Sequence, residues 1–152
     1  MSIEKNIIIE LDYIIESPIT DVFDYLSNPV NDAQWQSSCD DVTIENPDTE
    51  IQTGFKYQIH FSFLSRKMAF EAETSEYEPL KIYGYRSLSG PITYEGRYEF
   101  SEVPEGVRIK WRLNATPGKF FGIIPRNLIK KTMLKKAGED IKRLQNTFKT
   151  QA

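Results

Sequence analysis

Cysteine and histidine are all but missing: Cys39 and His60 are the only representatives of their kinds among 152 residues. One cysteine cannot close an internal disulfide, and one of each leaves neither a Cys/His nucleophilic pair nor a ligand set for a metal. Long apolar runs are missing too, none approaching the ~20 residues of a membrane-spanning helix. The amino end, MSIEKNIIIELDY, has an isoleucine run broken by Glu10 and Asp12 and no cleavage-site pattern, so it does not read as a signal peptide. Nor is there an excess of one charge. With 19 basic against 22 acidic residues the net charge is −3, which gives no field to gather nucleic acid, and no Gly/Ser/Pro-rich linker divides the chain. These absences lead to the expectation of one domain over residues 1–152, cytoplasmic, without nucleic-acid partner, metal or cofactor. They say nothing of oligomeric state. Such a length buries roughly 70% of the unfolded surface, enough for a core with an internal cavity.

Aromatic residues are what the chain has in plenty: eight Tyr, nine Phe and two Trp, 12% of the sequence. Most fall in segments that alternate. Ile7, Ile9, Leu11, Tyr13 and Ile15 share one face of a first strand, with Glu10, Asp12 and Glu16 opposite. ESPITDVFDYLSNP follows, with Ser17 placed to cap a short helix, Pro18 suited to its first position, and Ile19, Val22, Phe23 and Leu26 at helical spacing. Asn28 and Pro29 end that helix and begin a shorter one through Gln34, after which Trp35 is placed to plug one end of the core. Cys39 to Glu45 reads as a weak strand. In the next hairpin Phe55, Tyr57, Ile59, Phe61 and Phe63 alternate with Lys56, Gln58, His60 and Ser62, and Met68, Phe70, Ala72 and Thr74 answer them. A turn over residues 64–67 pairs Phe63 with Met68, Phe61 with Phe70 and Tyr57 with Thr74, and puts His60 opposite Glu71 on the outer face.

Three further strands complete the sheet. Residues 81–88, KIYGYRSL, carry no pattern that decides between Tyr83 and Tyr85 facing in and Ile82, Gly84 and Arg86 facing in. Tyr94, Gly96, Tyr98 and Phe100 share a face of the next, and Val107, Ile109, Trp111 and Leu113 a face of the last. Pairing Phe100 with Val107 brings Gly96 opposite Trp111. The final segment, Pro125 to Lys149, reads as one long helix. About Ile141, at about 100° per residue, Leu134, Ala137, Leu144 and Phe148 lie on the core side, and so do Lys130 and Asn127. The order predicts an α+β plan: two short helices after the first strand, and a curled antiparallel sheet of about seven strands wrapped around a long C-terminal helix.

In that order the chain resembles the START-related helix-grip superfamily (SRPBCC), and within it the polyketide cyclase/dehydrase-like group. The resemblance is carried by SPITDVFDYLSNPVNDAQW after the first strand, ETSEYEPLKIYGYRSLSGP in the middle, the YEGRYEF to VRIKWRL hairpin, and the helix following PGKFFGIIP. It implies a deep cavity between sheet and helix that takes apolar molecules such as lipids, polyketides and quinones. It does not imply catalysis.

Residue chemistry points the same way. His60, Arg97, Arg108 and Arg112 have outward parity, and Glu71 and Glu73 share the outer face as partners of His60 and Lys56. What converges inside is hydroxyl and ring: Tyr57, Phe61, Phe70, Thr74, Tyr85, Tyr94, Tyr98 and Trp111. Phenols in an apolar cavity orient a ligand carbonyl or hydroxyl. Asn127 and Lys130 are candidates for the polar end of a ligand, with snorkelling of Lys130 to solvent as the alternative. Phe120, Phe121, Ile123 and Ile124, set among Gly118 and Gly122, form either a staple under the helix or a gate to the cavity. Beside them Lys119, Arg126, Lys130 and Lys131 would allow transient contact with an anionic membrane. The expected function is binding or carriage of a small hydrophobic ligand. The alternative is a polyketide cyclase, aromatase or dehydratase using cavity tyrosines, with Arg86 if it faces inward.

Overall fold

The computed structural model describes residues 6–150. The remaining residues of the expected 1–152 domain, at the two ends, lie outside the described residues. Seven strands form one antiparallel sheet: β1 (Ile7–Ile15), β2 (Cys39–Thr43), β3 (Lys56–Phe63), β4 (Arg66–Glu78), β5 (Ile82–Ser89), β6 (Thr93–Val103) and β7 (Gly106–Thr116). Their spatial order is β1-β7-β6-β5-β4-β3-β2, so every neighbour but β1 and β7 is a sequence neighbour. Between β1 and β2 the chain forms α1 (Ile19–Leu26), one 3-10 turn (Pro29–Asn31) and α2 (Asp32–Trp35), and after β7 it ends in α3 (Arg126–Thr150). This is the helix-grip arrangement. Irregularities in β4, at Glu71/Ala72 and Thr74/Glu76, break the register with β5. Such bulges bend a strand and increase its twist, which lets the sheet curl.

Strand parity follows the alternation, but two registers differ from expectation. In the β3–β4 hairpin Phe63 pairs with Arg66, Phe61 with Met68, Ile59 with Phe70 and Tyr57 with Ala72. The turn is only Leu64 and Ser65, both with positive φ (51° and 63°). Two such residues give the hairpin turn whose twist matches that of the strands, so it closes tighter than a four-residue turn. His60 accordingly pairs with Ala69, not Glu71. The β6–β7 hairpin is shifted likewise: Phe100 pairs with Ile109, and Tyr98, not Gly96, lies opposite Trp111. Each shift is two residues, which leaves every side chain on its expected face.

The helices depart in detail. Ser17 does not cap α1; Pro18 holds that position with no side-chain hydrogen bond, while the Asn28 side chain accepts from Val30 N (3.1 Å) at the 3-10 turn. Val22, Phe23 and Leu26 are buried, Phe23 edge-on to Phe100 (5.0 Å) and Tyr77 (5.5 Å). α3 buries Ile129, Asp140, Leu144 and Phe148, with Met133, Ala137 and Ile141 half-buried. The stripe is centred on Leu144 rather than Ile141, so Leu134 and Asn127 stand about 80° and 100° from its centre at 3.6 residues per turn. Both are exposed. Lys130 is only about 40° from that centre by the same turn and is exposed as well; here Ile129 and Met133 take the inward positions.

Side-chain hydrogen bonds fix α3 against the rest. Gln145 Nε2 donates to Ile14 O of β1 (2.9 Å), and Arg143 Nη1 to Trp35 O (2.9 Å). Asp140 Oδ1 accepts from Ser37 N (3.1 Å) and Arg143 Nη1 (3.0 Å). The helix thus spans the concave side with its carboxyl-terminal half sealed on β1 and α2.

Candidate functional site

Two buried clusters leave space between them. One gathers residues of β3 and β4 with Tyr94, Phe121 and Ile129, the other α1, Trp35, Tyr83, Tyr98, Leu144 and Phe148. The space is a cavity of about 190 Å³. Its sheet wall is aromatic, formed by Tyr57, Phe61, Phe63 and Phe70 of β3 and β4, Tyr85 of β5, Tyr94 and Tyr98 of β6, and Trp111 of β7. Ile129, Met133, Lys136, Ala137, Asp140 and Ile141 of α3 form the opposite wall, and Asp32, Trp35, Gln36 and Ser38 close one side. The rings stack and cross: Tyr98 lies along Trp111 (6.4 Å, 22°), and Phe70 is edge-on to Tyr94 (4.9 Å).

The undecided strand is now placed. Tyr83 and Tyr85 face in, and Arg86 faces out, where its Nη2 meets Glu73 Oε2 at 2.6 Å. Glu73 is therefore the partner of Arg86, and His60 pairs with Asp41 of β2 (2.8 Å). Arg97, Arg108 and Arg112 are outward as expected, bridged to Glu76, Asp12 and Glu10. Tyr85 has a glycine to thank for its position: a Cβ on Gly96, its partner on β6, would come within 2.2 Å of Cζ and Oη of the ring. The expected register put Gly96 opposite Trp111, whereas its partner on β7 is Leu113. The Trp111 Nε1–H donates to Tyr85 Oη (3.0 Å), a polar pair inside the cavity.

Of the expected site residues, Tyr57, Phe61, Phe70, Tyr85, Tyr94, Tyr98 and Trp111 border the cavity. Thr74 does not. It is fully buried behind the wall, its hydroxyl near the Tyr83 phenol without reaching hydrogen-bond geometry. Asn127 and Lys130 do not border it either, because both are exposed on α3. The expected gate divides. Phe121 is buried, lines the cavity and lies edge-on to Phe63 (5.8 Å), Phe120 and Ile124 are half-buried, and Ile123 is 99% exposed.

Two carboxyls on the lining escaped the sequence reading, and they differ. Asp140 is held by the two hydrogen bonds already described. Asp32 has no side-chain hydrogen bond or ion pair, and burial raises its carboxyl well above the usual carboxylate range. It keeps some accessible surface while lying deep in the protein, as expected of a group that borders internal space. Its charge and, above all, burial push the phenols of Tyr57, Tyr83, Tyr85, Tyr94 and Tyr98 upward, so they stay neutral at pH 7. The Cys39 thiol is pushed up to about 12 by burial, which leaves no thiolate nucleophile. No periodicity signals Asp32, since α2 is one turn long and an acidic residue opening a helix is ordinary.

A curled antiparallel sheet closed by a long helix over an aromatic cavity defines the helix-grip class of fold. The chain belongs to the family described as polyketide cyclase / dehydrase and lipid transport, whose model matches residues 7–149. Among solved structures it is similar to a protein from Thermus thermophilus at 17% identity, with 97% of this chain and 99% of that one covered and a TM-score of 0.74. A START superfamily protein from Mycobacterium smegmatis shows 10% identity with the same coverage and TM-score. The di-domain ARO/CYC StfQ from the steffimycin biosynthetic pathway shows 12% identity, 96% coverage of this chain and 52% of that one, and a TM-score of 0.73. At such identities these likenesses concern the fold. No curated protein matches the chain.

Proposed function

We propose that this protein binds and carries a small hydrophobic molecule in the cavity between sheet and α3. The observation that carries the reading is the cavity itself, with a wall of aromatic rings and few polar groups. Rings of this kind contribute apolar area at little entropic cost, and their hydroxyls orient a ligand without charge. Tyr57, Phe61, Phe70, Tyr85, Tyr94, Tyr98 and Trp111 are the proposed contacts. A cavity of about 190 Å³ suits a body of one or two rings, since a cavity of about 150 Å³ takes benzene. The Arg86-assisted cyclase loses its arginine to the outer face. Native mass spectrometry of protein purified from its own host is expected to show a co-purifying apolar compound, lost on organic extraction. Protein that carries no added mass and takes up no apolar compound afterwards sinks the reading.

Transient contact with an anionic membrane is supported by one observation: Ile123 stands fully exposed beside Lys119, Arg126, Lys130 and Lys131, all exposed. Each basic group near such a surface adds about 1 kcal/mol. Flotation with phosphatidylserine-containing vesicles is expected to recover the protein and to recover less of Ile123→Asp. No recovery of either removes the membrane from the account, and equal recovery of both removes Ile123 from the contact. Among the described residues no helix is long and apolar enough to cross a membrane.

A further inference from the structure

The polar groups bordering this otherwise apolar cavity are uneven in what they have left to offer. Asp140 is occupied by Ser37 N and Arg143. Tyr85 Oη already accepts from Trp111 Nε1, so its own hydrogen is the part still free to act. Trp35, whose ring also borders the cavity, has a buried Nε1–H with no acceptor. Asp32, on α2 with Trp35, has a carboxyl with no partner at all, and burial among neutral phenols favours its protonated, donating form. Among these four groups the spare capacity is weighted towards donors. A buried donor without an acceptor is costly, and a ligand that brings one recovers that cost.

We propose that Asp32 is the polar anchor of the cavity and selects neutral ligands that present a carbonyl oxygen, to which its carboxyl group donates a hydrogen bond. The inference rests on the cavity-binding reading above and gives it a chemical class. The Tyr85 hydroxyl, fixed by Gly96 behind it and Trp111 beside it, is the second donor to the same oxygen or to a neighbouring one. The rings of Tyr94, Tyr98 and Trp111 hold the carbon skeleton. An anionic ligand would bring a second acid next to Asp32, with Lys136 as the only cationic side chain on the lining among the described residues. A cationic amine would instead favour the ionised form of Asp32, its proton leaving to solvent, and would leave the free donors of Tyr85 and Trp35 idle.

The test uses four compounds on one skeleton: tetralin, 1-tetralone, 1-aminotetralin and 1,2,3,4-tetrahydro-1-naphthoic acid, titrated calorimetrically into the purified full chain at pH 7. 1-Tetralone is expected to bind about tenfold tighter than tetralin, the worth of one net hydrogen bond in a buried site. The amine and the acid are expected to bind more weakly than the ketone. Asp32→Leu should erase the preference for ketone over hydrocarbon, while Asp32→Asn, whose amide still donates, should keep most of it. Equal affinity for tetralin and 1-tetralone overturns this inference and leaves the carrier reading standing. So does an unchanged preference in Asp32→Leu, or tightest binding of the amine or the acid. Failure of all four to bind overturns both. If Asp32→Leu does not fold, the comparison of ketone with hydrocarbon in the wild-type protein still decides.

Discussion

Replacing Gly96 with alanine is expected to weaken tetralin binding at least about tenfold, which is roughly 1.4 kcal/mol, while the protein still folds. The reason is a collision with one place to go. A methyl on Gly96 lands 2.2 Å from the end of the Tyr85 ring, and the two residues are register partners in adjacent strands, so the backbones cannot part without breaking the β5–β6 ladder. The ring must swing instead. Tyr83 lies beside it at 6.1 Å and Tyr98 at 6.0 Å, which leaves the cavity as the open direction. A ring moved there occupies the ligand's volume and parts from Trp111 Nε1. The stability cost is expected to be about 1–3 kcal/mol, the usual range for overpacking with a side chain that can yield. Urea unfolding and calorimetry measure the two effects separately. Adding Tyr85→Ala to Gly96→Ala should restore room for the methyl and recover tetralin binding, a coupling that a double-mutant cycle reads directly. Wild-type affinity in Gly96→Ala would show that this ring does not shape the binding space.

Asp32→Asn is expected to be more stable than the wild type at neutral pH, by about 1.4 kcal/mol for each pH unit over which the folded carboxyl keeps a proton that the unfolded chain has lost. The sign comes from proton linkage. The folded carboxyl titrates well above the ordinary aspartate value of about 4, chiefly through burial. Below that value both folded and unfolded chains hold the proton and Asp32 costs nothing by ionisation. As pH rises above it, the unfolded chain loses its proton while the folded one retains it, so stability falls until the folded pKa is passed. Asparagine has no such titration. The stability difference between variant and wild type should therefore be small near pH 3.5, grow with pH, and level off once Asp32 is ionised in both states.

The groups that feel the charge of Asp32 are Tyr25 of α1, Cys39 of β2, Tyr57 of β3, Tyr83 and Tyr85 of β5, and Tyr94 and Tyr98 of β6, all raised and neutral through this window. Lys136 and Asp140 of α3 share the cavity wall. Chemical denaturation at intervals from pH 3.5 to 8 checks the prediction, and a pH-independent difference would contradict it. A residue whose removal stabilises the fold, yet which borders the cavity, fits a group kept for binding rather than for structure.

Much of the architecture is legible in the residues themselves. Alternation has a period of two, so the faces of Tyr57, Phe61, Phe70, Tyr94, Tyr98 and Trp111 follow from the pattern, and so does the outward placing of His60, Arg97, Arg108 and Arg112. The same period hides the pairing. A slip of two residues preserves every face, and only the two-residue turn at Leu64 and Ser65 chose the register. α3 shows a similar limit: Leu144 and Phe148 sit at the core as their spacing requires, but Lys130 is exposed where the helix has Ile129 and Met133 to turn inward. Arg86 and Tyr85 divided only once β5 had neighbours on both sides.

The sequence by itself determined the order of elements and the apolar, ring-lined inner face, because both are local patterns repeated along the chain. Tertiary structure alone decided what stands among those rings. Asp32 lies in a single helical turn with no periodicity to mark it, and its unpaired carboxyl acquires meaning from the phenols of three strands that converge on it, none of them near it in the chain. Burial is a property of that convergence, and burial is what makes an ordinary aspartate the polar centre of this cavity.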